Sequence, residues 1–146
     1  MGIDPKDILI DQLKGQIKQL EDRVERDEFY LRALFDNLPD DIYFKNKQSQ
    51  FVRVSKAMAK RLGFDHPEDM DGKTDFDIFP NQHAQEAFDD EQEIIKTGIP
   101  VINVIENEGE FNGRISWVST SKLPLYDQNS NVSGIFGISR DISDLM

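Results

Sequence analysis

Cysteine is absent from this chain of 146 residues. That excludes disulfides, thiolate metal sites and a cysteine nucleophile. No apolar run approaches the roughly 18 residues of a membrane-spanning helix, and no signal-peptide core follows Met1. Positive charge is scarce: 17 Lys and Arg stand against 28 Asp and Glu, a formal net charge of -11. Such a surface repels phosphate backbones and anionic headgroups, which argues against nucleic acid and against direct membrane contact as partners. These traits fit a cytoplasmic module, whatever membrane anchor a longer parent protein carries elsewhere. Gly-x-Ser-x-Gly elbows, phosphate-cradling glycine loops and His-Glu-x-x-His pairs are all missing. No catalytic residue is assigned, and the chain does not read as an enzyme.

What is present suffices for a core. Apolar residues make up 38% of the chain and aromatics 10%, so global disorder is not expected despite a mean hydropathy of -0.56. The length allows one ordinary domain plus one extra element, divided as a helix over 1–38 and a domain over 39–146. Between Lys6 and Leu38 there is one glycine, Gly15, and no proline. Apolar residues at Ile10, Leu13, Ile17, Leu20, Val24, Leu31 and Leu34 alternate steps of three and four, with Asp27 breaking one slot. This is the seam of a coiled coil, and it predicts a homodimer. In a parallel pair Arg23 would face Glu28 of the second copy. A helix packed on its own domain is the competing reading.

Pro39 ends the helix, because it disfavours helical geometry at Leu38 and lacks a backbone donor. Ile42–Lys45 and Phe51–Val54 alternate as strands around a turn. Ser55 caps a short helix over Lys56–Leu62, closed by Gly63. An acidic irregular stretch runs from Asp65 to Pro80. A longer helix then reaches Lys96, with Ala84, Phe88, Glu91 and Ile95 on one face and Thr97-Gly98 as its stop. Val101–Ile105, Ile115–Leu125 and Val132–Arg140 read as strands linked by hairpin turns at Asn112-Gly113 and within Asp127–Asn131. Hairpin-linked strands make an antiparallel sheet.

Five stretches in order carry a family resemblance. They are Asp36–Lys45 (DNLPDDIYFK), Gly72–Pro80 (GKTDFDIFP), Asp90-Glu91 with Thr97-Gly98, Trp117–Leu125 (WVSTSKLPL), and Gly134–Ser143 (GIFGISRDIS). The last resembles the Asp-Ile-Thr ending of PAS sensor domains. Together they cover about Asp36 to Ser143. The resemblance implies an α+β PAS fold, an antiparallel five-stranded sheet flanked by short helices, preceded by a long N-terminal helix. Departures are small: Ser55 where asparagine is usual, Ser130 where glycine is frequent, and Ser143 where threonine is usual. Asn129 or Asn131 is expected to take the positive-φ turn position in place of that glycine.

The same resemblance implies a signal-input role in a bacterial-type signalling protein, such as a histidine kinase of a two-component system or a cyclic-di-nucleotide synthase. A small ligand would sit between sheet and helices, and the signal would pass to a C-terminal output module. Aligned on the PAS register, Val118, Thr120, Ile135 and Ser139 face inward. With Phe44, Met58, Phe79 and Phe88 as apolar walls they form the candidate pocket, Thr120 and Ser139 supplying polar handles. Ile115, Trp117, Phe136 and Ile138 face outward as an apolar patch, to be covered by Phe29, Leu31, Leu34 and Phe35 of the leading helix in the same chain or a second copy. Asp141 is the exit point of the relay.

Cofactors are not expected. The position matching the haem-ligating histidine of oxygen-sensing PAS domains is Ala87, which cannot ligate iron. His83, one turn earlier, reads as a surface or capping residue. Flavin photochemistry of the LOV type needs a cysteine that is lacking. The acidic run Asp69, Asp71, Asp75, Asp77 lacks the spacing of a calcium loop and reads as caps and solvated charge, so no metal site is assigned. The alternatives to ligand sensing are a ligand-free dimerisation module and a haem- or flavin-bearing redox or gas sensor.

Overall fold

Buried and less buried side chains alternate strictly along the first strand and through most of the fourth, and this period of two sets the architecture. The computed structural model describes residues 2–111 and 113–146 of the chain, residue 111 by its backbone alone. In order, the elements are α1 (Pro5–Asn37), β1 (Asp41–Asn46), β2 (Phe51–Val54), α2 (Lys56–Arg61), two 3-10 turns (Pro67–Met70 and Asp75–Asp77), α3 (Asn81–Thr97), β3 (Val101–Phe111), β4 (Arg114–Tyr126), β5 (Val132–Asp141) and a closing 3-10 turn (Ser143–Leu145). The strands form a five-stranded sheet in the order β2-β1-β5-β4-β3, antiparallel at every pairing. This is the PAS fold expected from the sequence.

Local chemistry explains the joints. Ser55 Oγ accepts the Met58 amide at 3.3 Å and the Ile42 amide at 3.0 Å, so one hydroxyl starts α2 and ties it to β1. Gly98 closes α3 in the left-handed region with a φ of 72°. At the last hairpin Ser130 itself takes the positive φ, at 64°, and not Asn129 or Asn131. Asp127 Oδ1 accepts the amides of both asparagines, which pins them and leaves Ser130 to turn. Of the turn expected at Asn112-Gly113, Asn112 lies outside the described residues.

The chain divides into two compact units, Met1–Leu34 and Phe35–Met146. In the second, Tyr43, Phe51, Val54, Met58, Ala59, Met70, Ile94 and Ile135 form the buried core between the sheet and the helices. The buried face of α3 is Ala84, Ala87, Glu91 and Ile94. The expected face of Ala84, Phe88, Glu91 and Ile95 is therefore rotated slightly: Phe88 and Ile95 are half-buried at its margin. On the outer sheet face Phe35 stacks on Phe44 at 5.8 Å, and Phe44 lies 5.9 Å from Phe136. In the first unit the seam residues Ile10, Leu13, Ile17, Leu20, Val24 and Leu34 are exposed, as is Phe29. No helix among the described residues is long and apolar enough to cross a membrane.

Candidate functional site

Strand parity sends Asp41, Tyr43 and Lys45 of β1, Thr120 and Lys122 of β4 and Ser139 of β5 to the same inner face, opposite α3. There they enclose a small chamber of about 20 Å³, roughly the space one water needs. Its distinguishing content is charge. Lys45 Nζ donates to Asp75 Oδ2 at 2.8 Å and to Glu91 Oε1 and Oε2 at 3.0 and 2.9 Å. Lys122 Nζ donates to Glu91 Oε2 at 3.2 Å. Glu91 is fully buried and both lysines are nearly so. Buried charges persist only when paired and hydrogen-bonded, and here each ammonium has a carboxylate. Lys45 Nζ also lies 4.5 Å from the centre of the Phe51 ring.

A second group lies beside the first. Arg61, from the end of α2, donates to both oxygens of Asp41, and its Nη2 is 3.2 Å from Glu108 Oε1. Glu108 is buried, yet its Oε1 accepts no hydrogen bond, and His83 Nε2 stands 3.9 Å from its Oε2. Burial pushes the Glu108 carboxyl up to about 7, against the pull of Arg61. Burial likewise raises Asp41 and Glu106 and lowers His83. For Lys122 burial acts to lower the pKa but is outweighed by Glu91 and Glu106, so the ammonium is held charged. Thr120 and Ser139 share a hydrogen bond of 2.8 Å across β4 and β5. Among the described residues no group of three or more His, Asp or Glu side chains is arranged to hold a metal ion.

The family model described as the PAS fold matches residues 35–145. This chain belongs to that family. Among curated proteins, the PAS domain and its leading helix are 23% identical over 133 residues to a diguanylate cyclase of Vibrio cholerae, covering 90% of this chain and 41% of the cyclase. They are 24% identical over 136 residues to the methanogenesis regulatory histidine kinase FilI of Methanothrix harundinacea, covering 93% of this chain and 15% of the kinase. The chain thus spans less than half the length of either relative. Among solved structures, VqmA bound to DPO is 25% identical with a TM-score of 0.69, over 78% of this chain and 57% of that one. The Vibrio cholerae VqmA dimer without target DNA gives 25% and 0.70, over 80% and 52%. The chain is a sensory signalling PAS domain, of a kind that enzymes of signalling carry as a sensor part.

The PAS register places Met58, Phe79, Thr120 and Ser139 on the chamber wall, four of the eight pocket residues expected from sequence. Val118 and Ile135 point inward and are fully buried, but outside the chamber lining. Two side chains lie elsewhere. Phe44 alternates with Tyr43 and Lys45 and so belongs to the outer face, between Phe35 and Phe136. Phe88 sits at the edge of α3, 6.2 Å from Phe76. His83 is not a surface residue: it lines the chamber with its ring edge-on to Phe79. Asp75 is no solvated cap either, being buried under Lys45.

Sequence reasoning missed the charged residues of the site: Lys45, Arg61, Asp75, Glu106, Glu108 and Lys122. A signal for two of them was available, because Lys122 shares the parity of Thr120 and Lys45 that of Tyr43. At the end of β5, hydrogen bonds from the Ser143 hydroxyl and from the Ser143 amide, the latter 2.8 Å from Oδ1, hold the Asp141 carboxyl below the usual range. Ser143 Oγ accepts the Trp117 amide at 3.0 Å, so the serine does the work expected of threonine. Trp117 and Phe136 are half-buried and Ile138 is exposed on the outer face.

Proposed function

We propose that this PAS domain is the signal-input module of a longer signalling protein, with a histidine kinase or diguanylate cyclase as its output. In this reading a small ligand occupies the chamber, the domain dimerises through the α1 seam and the outer sheet face, and the change passes along β5 to Asp141. The observation that carries it is the polar chamber itself: a core meant only for stability has little use for two lysines and several carboxylates at its centre. The VqmA likeness supports the same use, since that protein is described bound to DPO and as a dimer. A ligand produces a signal only by binding one arrangement of strands and dimer better than another. Target DNA belongs to the description of VqmA; a net charge of -11 speaks against it here.

No haem or flavin enters the proposal. Ala87 on the chamber wall offers no iron ligand, and about 20 Å³ is far below the size of either cofactor. That small volume also favours a second reading, a ligand-free dimerisation module whose chamber holds water alone. Native mass spectrometry of gently purified protein separates the two. Twice the chain mass plus a small excess supports a liganded dimer. A bare multiple, with no thermal shift from any compound of a small-molecule library, overturns ligand sensing in favour of the dimerisation module.

A further inference from the structure

We propose that the chamber and the groove beside it take a small organic cation, a protonated primary amine on a short apolar stem. The inference rests on the reading of the chamber as the ligand site.

The two chamber lysines are already committed, Lys45 to Asp75 and Glu91 and Lys122 to Glu91, so neither stands ready for an anionic ligand. What is left over is acid. Asp41 holds the guanidinium of Arg61 by two bonds, while Glu108, 5% exposed and on the chamber wall, keeps an oxygen that accepts no hydrogen bond although Arg61 is near. A buried carboxylate oxygen held by an ion pair alone, with no aligned hydrogen bond, is under-satisfied, and a ligand N–H placed in the chamber would supply the missing bond.

The neighbouring surface has the same sign. A groove of about 610 Å³ runs between α3 and β3 and shares His83 and Glu106 with the chamber. Glu86 and Asp90 lie along its helical side, and Val104 and Ile105 along its strand side. Carboxylates at a mouth concentrate cations and repel anions, and the two aliphatic residues suit a short hydrocarbon stem. The chamber admits only one small group, so the ammonium enters and the stem remains in the groove. A bare metal ion fits less well, because no three ligating side chains converge among the described residues.

A charge series on one stem tests this with the full chain at pH 8, where Glu108 is ionised: n-butylammonium, n-butanol and n-butyrate at millimolar concentration, read by melting temperature and by backbone amide NMR. Butylammonium is expected to raise the melting temperature and to shift the amides of His83, Glu106 and Glu108, the other two leaving both unchanged. Glu108→Gln keeps the shape and removes the charge, and it should weaken butylammonium binding by about tenfold or more. Should that variant fold poorly, Glu86→Gln on the exposed rim should still weaken binding by about two- to threefold. A response to butylammonium no greater than to butanol or butyrate overturns the cationic class. If in addition no chamber amide moves with any of the three and the native mass spectrum shows no bound species, the ligand-site reading falls with it.

Discussion

Lys45 and Glu91 are 46 positions apart in the chain, yet one ammonium donates to both oxygens of one carboxylate, at 3.0 and 2.9 Å, with neither side chain more than 2% exposed. The pair ties β1 to the middle of α3 and fixes the inner geometry of the chamber. Removing one member leaves the other charged, buried and short of a partner. Lys45→Met is therefore expected to destabilise the domain by about 3–5 kcal/mol in urea denaturation. Replacing Lys45 and Glu91 together with apolar residues should recover part of that loss, and a double variant worse than the single would contradict this account.

Glu108 makes stability depend on pH. Its folded-state pKa, about 7, lies above its ordinary 4.5, so the folded protein holds the proton more tightly than the unfolded chain. The contribution is complete below about 4.5 and is lost as the pH rises through about 7, on the order of 3 kcal/mol in all. Asp41 and Glu106 are also raised and act in the same sense, while the lowered pKa of His83 acts oppositely, stability being lost as the pH falls. Lys45, Asp75, Glu91, Lys122 and Arg61 complete the charges around the chamber. Glu108→Gln isolates one of these contributions. Its stability relative to the parent should improve between pH 5 and pH 8 in paired urea titrations, and a constant difference would remove Glu108 from the account.

Gly134 stands opposite Asn46, the last pair of the β1–β5 ladder. A Cβ at this position would collide with the backbone carbonyl oxygen of Lys45, which cannot rotate away. Gly134→Ala should cost about 1–3 kcal/mol and broaden the amide signals of β1. Gly63→Ala is a useful contrast. There a Cβ meets open space, and only the positive φ of 85° penalises it.

Ile17 is 53% exposed in the single chain, at the centre of the α1 seam. If the seam pairs two copies, Ile17→Asp buries a carboxylate in that interface and should give monomers by analytical ultracentrifugation. An unchanged dimer mass would remove the seam from the assembly.

Much of the fold was legible because it is carried by short-range signals. The parity of Trp117–Leu125 separated Val118 and Thr120 from Trp117, and Ser55, Gly63 and Gly98 marked the helix ends where they occur. The chamber was legible only in part. Polar and ionised side chains are ordinarily assigned to the surface, so neither Lys45 nor Lys122 stood among the expected pocket residues, although strand parity sends both inward. Asp75 and Glu108 become comprehensible only once Lys45 and Arg61 are brought to them from distant positions, and no local pattern encodes such a meeting. Phe44 erred the other way: an aromatic residue was assigned to the pocket when its parity placed it against Phe35.

Arg61 touches Asp41 on β1 and Glu108 on β3, strands that β5 and β4 keep apart in the sheet. One guanidinium thus acts as a tie-rod across the inner side of the sheet, joining two strands that are not neighbours in it. A proton on Glu108 removes the charge attraction at one end of that rod. The charge state of the chamber thus bears directly on the hold between β1 and β3, and β5, which ends at Asp141, lies between the strands that the rod joins.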